Sequence, residues 1–341
     1  MTFGDRLRAE IAAAPMSVAT YMARSNAAYY ATRDPFGAAG DFMTAPEISQ
    51  IFGELVGAWL ADRWVAAGSP PRSVVVELGP GRGTMMADMR RSFAAAGWAP
   101  EVVLVETSPV LRAAQLRAAP DAVHHDALAQ VRDDATTFVV ANEFFDALPV
   151  RQFDHTPAGW RERMVVATAA GLAFAAGPDD ATPLIPAALA ASPIGSVVEV
   201  CPTGTAIAAE IGVRVQRHGG AALIVDYGHV GPLAGETLQA VQGHARADVL
   251  VGAGVDLTAH VDFTALAVAA GVTAWGPVGQ GSFLRAIGIN ARAATLKARA
   301  TDAQAVGIDA AAARLTGDDA MGRLFKVMAL TAGGTAPPGF A

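Results

Sequence analysis

Between residues 72 and 142, short apolar runs alternate with segments of helical composition. Residues 74–78, 102–105 and 138–141 are apolar at almost every position, whereas 84–96 and 109–119 interleave polar side chains at helical intervals. A strand that is apolar on both faces has to be covered on both, so this rhythm predicts a parallel sheet with helices packed on each side. A further short strand is expected around Val123. Upstream, residues 1–70 read as a helical segment broken by Gly37, Gly40 and Pro46, with periodic apolar positions over 51–65, and Pro70-Pro71 closes it. From Arg151 the rhythm breaks. Residues 151–195 read as an insertion in which Pro157-Ala158-Gly159 turns between two extended segments. The alternation returns with a strand at 197–200, a helix over 205–218 and a strand at 221–226. A second, loop-rich insertion spans about 229–255, followed by a helix at 263–270 and an extended run at 272–278. Residues 333–341, rich in Gly and Pro, read as a flexible tail. The expected fold is a doubly wound α/β domain over 71–332, carrying these insertions behind an N-terminal helical segment.

Composition narrows the class. Hydrophobic residues make up 52% of the 341-residue chain, but alanine supplies much of that share. No run approaches the roughly 20 apolar residues of a membrane span. The first fifteen residues place Asp5, Arg6, Arg8 and Glu10 on an alanine-rich helical pattern, without the apolar stretch of a secretory signal, and a cytoplasmic protein is expected. A formal charge of −7 argues against nonspecific nucleic-acid binding, which depends on neutralising phosphates, and suits a basic partner or a cationic side chain. Cys201 is the sole cysteine, which excludes an intrachain disulfide and a cysteine zinc cluster. It reads as a small buried hydrophobe or a catalytic thiol. His124-His125 lacks the spacing of a metal site, and no metal is expected.

The strongest local signal is Val74-Val75-Val76-Glu77-Leu78-Gly79-Pro80-Gly81-Arg82-Gly83-Thr84. A buried strand runs into a glycine-dense corner and a helix starts at once, so backbone can approach a ligand where a Cβ would collide. A tight structural turn, a dinucleotide site and an S-adenosylmethionine site all suit such a corner. The dinucleotide spacing G-x-G-x-x-G fails from Gly79, where Thr84 occupies the last position, and from Gly81, where Met86 does. An acid two places before G-x-G-x-G is met by Glu77, Gly79, Gly81 and Gly83, and this resembles the first motif of class I methyltransferases. In that resemblance Glu77 lies near the methionine amino group. Glu106 ends the second strand, where a carboxylate accepts ribose hydroxyls. Asp126 follows the third strand, and the same resemblance places an acid there against the adenine amino group.

The fourth strand closes in Asn142-Glu143-Phe144-Phe145-Asp146-Ala147-Leu148-Pro149. Ligands of open α/β sheets gather at the carboxyl ends of strands, so this loop should face the transferable methyl. Asn142, Glu143 and Asp146 supply polar atoms beside two aromatic rings. Paired carboxylates can orient a guanidinium, a planar cation and a poor nucleophile, by bidentate hydrogen bonding. Glu143 is the candidate principal clamp and Asp146 the second. Solvent-facing acids beside core phenylalanines would explain the same residues.

Further segments make the resemblance closer. Gly40-Asp41-Phe42-Met43-Thr44-Ala45-Pro46-Glu47-Ile48-Ser49-Gln50, the glycine corner, the acidic loop, Val198-Glu199-Val200-Cys201-Pro202, Asp226-Tyr227-Gly228-His229 and Asp256-Leu257-Thr258-Ala259-His260 together resemble the MidA family. Mitochondrial members of that family are arginine methyltransferases that assist assembly of respiratory complex I. The resemblance implies S-adenosylmethionine as cofactor, a protein substrate presenting an arginine in a complex I subunit, and symmetric dimethylation. Residues 40–50 precede the sheet and can fold over the cofactor as a lid with Thr44, Pro46 and Glu47 nearest, or Thr44 can simply cap a helix. Asp226 to His229 would complete the substrate pocket, while His260 stays outside the main assignment. A small-molecule methyltransferase and a cofactor-binding assembly factor with little catalysis are the alternatives.

Overall fold

A computed structural model describes residues 2–32, 43–242, 245–251 and 254–340. Residues 40–42 of the expected lid lie outside the described residues. The central sheet is built from β1 (Ser73–Leu78), β2 (Glu101–Val105), β3 (Val123–His125), β4 (Thr136–Asn142), β5 (Gly220–His229), β6 (Thr273–Gly279) and β7 (Phe325–Thr331). Their spatial order is β6-β7-β5-β4-β1-β2-β3. Strands β1 to β5 pair in parallel, and β7 runs antiparallel to both β5 and β6. The order reverses between β1 and β4, which is where a doubly wound sheet opens a crevice at its carboxyl edge.

The apolar runs are explained by two separate cores. Val75, Leu104, Val140 and Leu223 point into the core formed with the helices Gln50–Ala66, Thr84–Ala95 and Gln280–Ala286. Their neighbours Val76, Val103, Val139 and Ile224 point into the opposite core with the helices Pro202–His218 and Phe263–Ala270. With period-two alternation and cover on each face, every position of β1 is buried. On the first face Glu54 is buried and pairs with Arg91 at 3.0 Å and Arg292 at 2.7 Å, fastening three helices together.

The insertions form a structure of their own. Arg151–Thr156, Gly159–Thr168 and Gly171–Asp180 build an antiparallel sheet, and Val197–Val200 joins it beside Arg151–Thr156. The strand at 197–200, expected to resume the central sheet, therefore belongs to the inserted one. The N-terminal helices Phe3–Ala13 and Val18–Thr32 pack here too, with Leu7, Ile11, Tyr21 and Met22 sharing a core with Val165 and Leu257. Sequence rhythm suggests nothing regular after 278, but among the described residues the helices Gln280–Ala286, Ile289–Lys297, Asp302–Thr316 and Met321–Leu324 precede β7. The C-terminal residues turn back onto the domain: Trp59 Nε1 donates to the Pro338 carbonyl at 3.0 Å, and the Phe340 ring packs 5.4 Å from that of Phe283. Among the described residues no helix is long and apolar enough to cross a membrane.

Candidate active site

After β1 the chain turns through Gly79, Gly81 and Gly83 at φ of +62°, +54° and +82°, and the helix Thr84–Ala95 begins. Only glycine adopts that sequence of left-handed conformations at little cost. Gly79 is constrained further, since a Cβ there would lie 2.8 Å from the Phe144 ring. Beside the corner is a cavity of about 650 Å³ bordered by Gly79, Gly81, Glu106, Asp126 and Glu143. A smaller hollow of about 30 Å³ joins Thr44, Pro46, Glu77 and Asn142, and also touches Gly79, Gly81 and Glu143. Gly83 borders neither. It is the N-cap of the following helix and faces Ala118.

The acids nominated from sequence differ in their surroundings. Glu77 is fully buried, its Oε2 has no hydrogen-bond partner among the described residues, and burial holds its carboxyl well above the ordinary range. A buried carboxyl without a partner is costly, and a cationic ligand group would relieve it. Glu106 Oε1 accepts the N–H of Thr107 at 2.9 Å and of Ser108 at 2.8 Å. Its Oε2 has only a long contact from Gln115 Nε2 at 3.4 Å. Burial raises this carboxyl as well. Asp126 sits at the rim with its side chain 66% exposed, and its Oδ1 is ion-paired to Arg112 at 2.7 Å.

The segment ahead of the sheet does fold against these residues. Ala45 donates its N–H to Glu143 Oε1 at 3.1 Å, and Asn142 Nδ2 donates to the same oxygen at 3.2 Å. Thr44 occupies the N-cap position of the short helix Ala45–Ile48 without making a side-chain cap, so its position is that of a cap while its segment covers the site. Glu47 accepts from the Thr84 hydroxyl at 2.6 Å and pairs with Arg82 at 3.6 Å, bracing the first turn after the glycine corner.

At the end of β4 the backbone bends sharply. Glu143 has φ of +51°, unusual for a residue with a Cβ, and its N–H donates to the Val225 carbonyl at 2.9 Å. Burial, then the neighbouring Asp146, pushes the Glu143 carboxyl up to about 7. Burial likewise pushes Asp146 up to about 6, while the Tyr227 hydroxyl beside it pulls the other way. The charge of Arg314 opposes the rise at Glu143, while Asp146 borders neither the larger cavity nor the small hollow and its Oδ1 has no hydrogen-bond partner among the described residues. Asp226, expected to face substrate, is instead an internal anchor. Its Oδ2 accepts the N–H groups of Phe144, Phe145 and Asp146 at 3.2, 3.0 and 3.3 Å, and its Oδ1 that of Tyr227 at 2.9 Å. His260 packs edge-on against Tyr227 at 5.5 Å, and burial lowers its proton affinity.

A family model described as S-adenosyl-L-methionine-dependent methyltransferase matches residues 55–279. The chain belongs to that family. The mouse protein arginine methyltransferase NDUFAF7, mitochondrial, is 40% identical over 329 residues, covering 85% of this chain and 75% of the mouse protein. Its human counterpart is 39% identical over 316 residues, covering 82% and 71%. The crystal structure of a COG1565 superfamily member from Burkholderia thailandensis bound to S-adenosyl-homocysteine superposes with a TM-score of 0.85 at 30% identity, covering 99% of this chain and 93% of that one. This methyltransferase uses S-adenosylmethionine, and the donor set fits it: an unpaired buried acid, a second acid with a spare oxygen, and a glycine corner that a side chain would fill. The expectation of a cytoplasmic protein does not stand, because the curated relatives are mitochondrial. The absence of a secretory pattern over residues 1–15 carries no information about that compartment.

One element of the methyltransferase escaped the sequence reading. In the helix Val18–Thr32, Ala23, Asn26, Ala27 and Tyr30 lie on one face and border the larger cavity. Asn26 Nδ2 donates to the carbonyls of Ala147 at 3.1 Å and Leu257 at 2.8 Å, and Ser108 Oγ donates to the Tyr30 carbonyl at 2.7 Å. The helix thus ties the acidic loop to the Glu106 turn. The 23-26-27-30 spacing was visible, but general alanine richness hid it.

Proposed function

We propose that this methyltransferase acts on the guanidinium of an arginine in a protein, with Glu143 and Asp146 as its clamp, and that the target lies in a respiratory complex I subunit and is dimethylated symmetrically. The observation that carries the reading is the acidic loop at the carboxyl end of β4, where half-buried Glu143 borders the larger cavity and the buried carboxyl of Asp146 behind it raises the Glu143 carboxyl further. Arg314 acts on Glu143 only through its charge, and a guanidinium seated against Glu143 would offset the charge of the two neighbouring acids more closely.

When bound, S-adenosylmethionine supplies an electrophilic methyl on a sulfonium. Glu77 would hold its ammonium, Glu106 its ribose hydroxyls and Asp126 the adenine amino group, with Gly79 and Gly81 leaving room for backbone contact, Gly83 starting the helix behind them, and Asn142, Thr44 and Pro46 closing the methionine side. Glu143 Oε1 is committed to Ala45 and Asn142, which leaves Oε2 to face substrate. A carboxyl near 7 is ionised by an arriving guanidinium and can take up the proton that a methylated nitrogen releases. Orientation of one nitrogen supplies most of the remaining advantage.

The test is transfer from radiolabelled S-adenosylmethionine to arginine-bearing complex I subunits, with the hydrolysate resolved into methylarginine forms and the Glu143→Gln variant run in parallel. Symmetric dimethylarginine that disappears in the variant is the expected result. Absence of methylarginine, together with an unaltered activity of Glu143→Gln on any substrate, would sink the reading.

A further inference from the structure

A second cavity, of about 310 Å³, lies on the other side of the acidic loop and shares no bordering residue with the larger one. Phe144 borders the first cavity and Phe145 the second. The helix Pro202–His218 also serves both, with Thr205 facing one and Ile207 the other. A protein segment laid across the loop would pass from Glu143, at the border of the larger cavity, to this second hollow.

The wall of this cavity is apolar where it is open to a ligand. Phe145, Val150, Leu189, Val200 and Leu266 line it. Two of its charged members are already engaged: Arg151 donates to Glu162 at 2.8 and 2.7 Å, and Glu199 accepts from Gln152 at 2.7 Å and from the N–H groups of Thr237 and Leu238 at 3.1 Å, whereas His229 borders the cavity with a buried Nδ1 that has no partner among the described residues. Asp262 caps the helix Phe263–Ala270 through the Ala265 N–H at 3.0 Å, and burial disfavours the charged form of His260. A neutral ligand is what such a wall accepts. Apolar surface also continues outward onto the rim, where Leu184 is 46% and Leu233 is 52% exposed. A small molecule enclosed in the cavity would leave that rim bare, whereas a protein segment covers both.

We propose that this cavity receives a large apolar side chain of the same protein that presents the arginine, a fixed few residues from it along the chain. The inference rests on the arginine reading, and it makes recognition bipartite: a cation at the paired acids on one side of the loop and an apolar anchor on the other. The anchor supplies affinity that is independent of the methyl-transfer geometry, since the cavity touches neither Glu143 nor the glycine corner.

The experiment uses the full chain, radiolabelled S-adenosylmethionine and synthetic peptide pools with one fixed arginine and degenerate flanks. Labelled peptides should be enriched about tenfold in Phe, Trp, Leu or Met at one offset from the arginine, in line with burial of one such side chain. Ala265→Leu, which fills the cavity, and Leu233→Asp, on its rim, should each abolish that enrichment, while stabilisation by S-adenosylmethionine shows that both variants fold and bind cofactor. Methylarginine without an apolar offset, or an offset untouched by both variants, overturns the proposal and leaves the arginine reading standing. If no pool yields methylarginine, the arginine reading fails and the cavity is read directly. Alkylation of Cys201, which borders it and is the protein's sole cysteine, should then be slowed by N-acetyl-tryptophanamide and not by N-acetylglycinamide. Equal rates would show that no apolar side chain is received there.

Discussion

The carboxylate of Asp226 takes the amide N–H of Phe145 at 3.0 Å across the boundary between two adjacent strands. The same oxygen takes the flanking amides of Phe144 and Asp146, so three successive donors of the acidic loop converge on one buried acid. Burial and the carboxyls of Asp146 and Glu143 push Asp226 upward, while the converging amides oppose that shift. This convergence holds Glu143 at its positive φ and keeps both clamp acids in place.

Asp226→Ala leaves those buried amides without an acceptor. It should lower the free energy of unfolding by about 3 kcal/mol or more and remove methyl transfer. Asp226→Asn keeps one acceptor oxygen and should lose less. Urea denaturation of the two variants checks the order, and equal stability with wild type would contradict the anchor.

Glu143→Gln retains shape and removes the charge. Methyl transfer should fall by about a hundredfold or more, while affinity for S-adenosylmethionine stays within about threefold, because the loss is of orientation and charge rather than of the cofactor site. Calorimetric titration set beside turnover separates the two.

The raised clamp carboxyls also predict a pH dependence. Activity should rise through pH 6 to 7 as Asp146 and Glu143 ionise. Stability of the unliganded protein should move the opposite way. Below about pH 4.5 the Glu143 carboxyl is protonated in both folded and unfolded chains; between there and about 7 the folded chain keeps a proton that the unfolded chain releases. Stability therefore falls as pH rises across that window. At about 1.4 kcal/mol per tenfold change in proton affinity, the full effect is on the order of 3 kcal/mol. Glu143→Gln should flatten this part of a melting-temperature profile against pH.

Glu77→Gln should stabilise the unliganded protein above pH 7, since a buried acid without a partner is removed, and yet weaken binding of S-adenosylmethionine by about tenfold or more. A thermal melt with and without cofactor shows both signs in one measurement.

Gly79→Ala faces two penalties, a left-handed backbone and a Cβ 2.8 Å from the Phe144 ring. The variant should lose about 1 to 3 kcal/mol and most of its cofactor-induced stabilisation. A normal cofactor shift in the melting curve would show that the corner tolerates a side chain.

The residues themselves determined much of this protein. Val74, Val76, Val103 and Val139 announced a doubly covered parallel sheet, because a strand packed on both faces favours apolar side chains throughout, and the exception in β1, Glu77, lies at the carboxyl end beside the site. Glu77, Glu106 and the glycines could be placed at strand ends, since sequence adjacency to a strand fixes which edge a residue occupies. Tertiary structure alone decided which partners meet. Ala45 reaches Glu143 from 98 positions away, Asp226 turns from a substrate-facing acid into an anchor, and Val197–Val200 joins the inserted sheet. The alanine face of the helix Val18–Thr32 becomes a cavity wall. Local periodicity records the environment each position requires, whereas long-range closure selects which segment provides it, and that choice leaves no imprint on spacing.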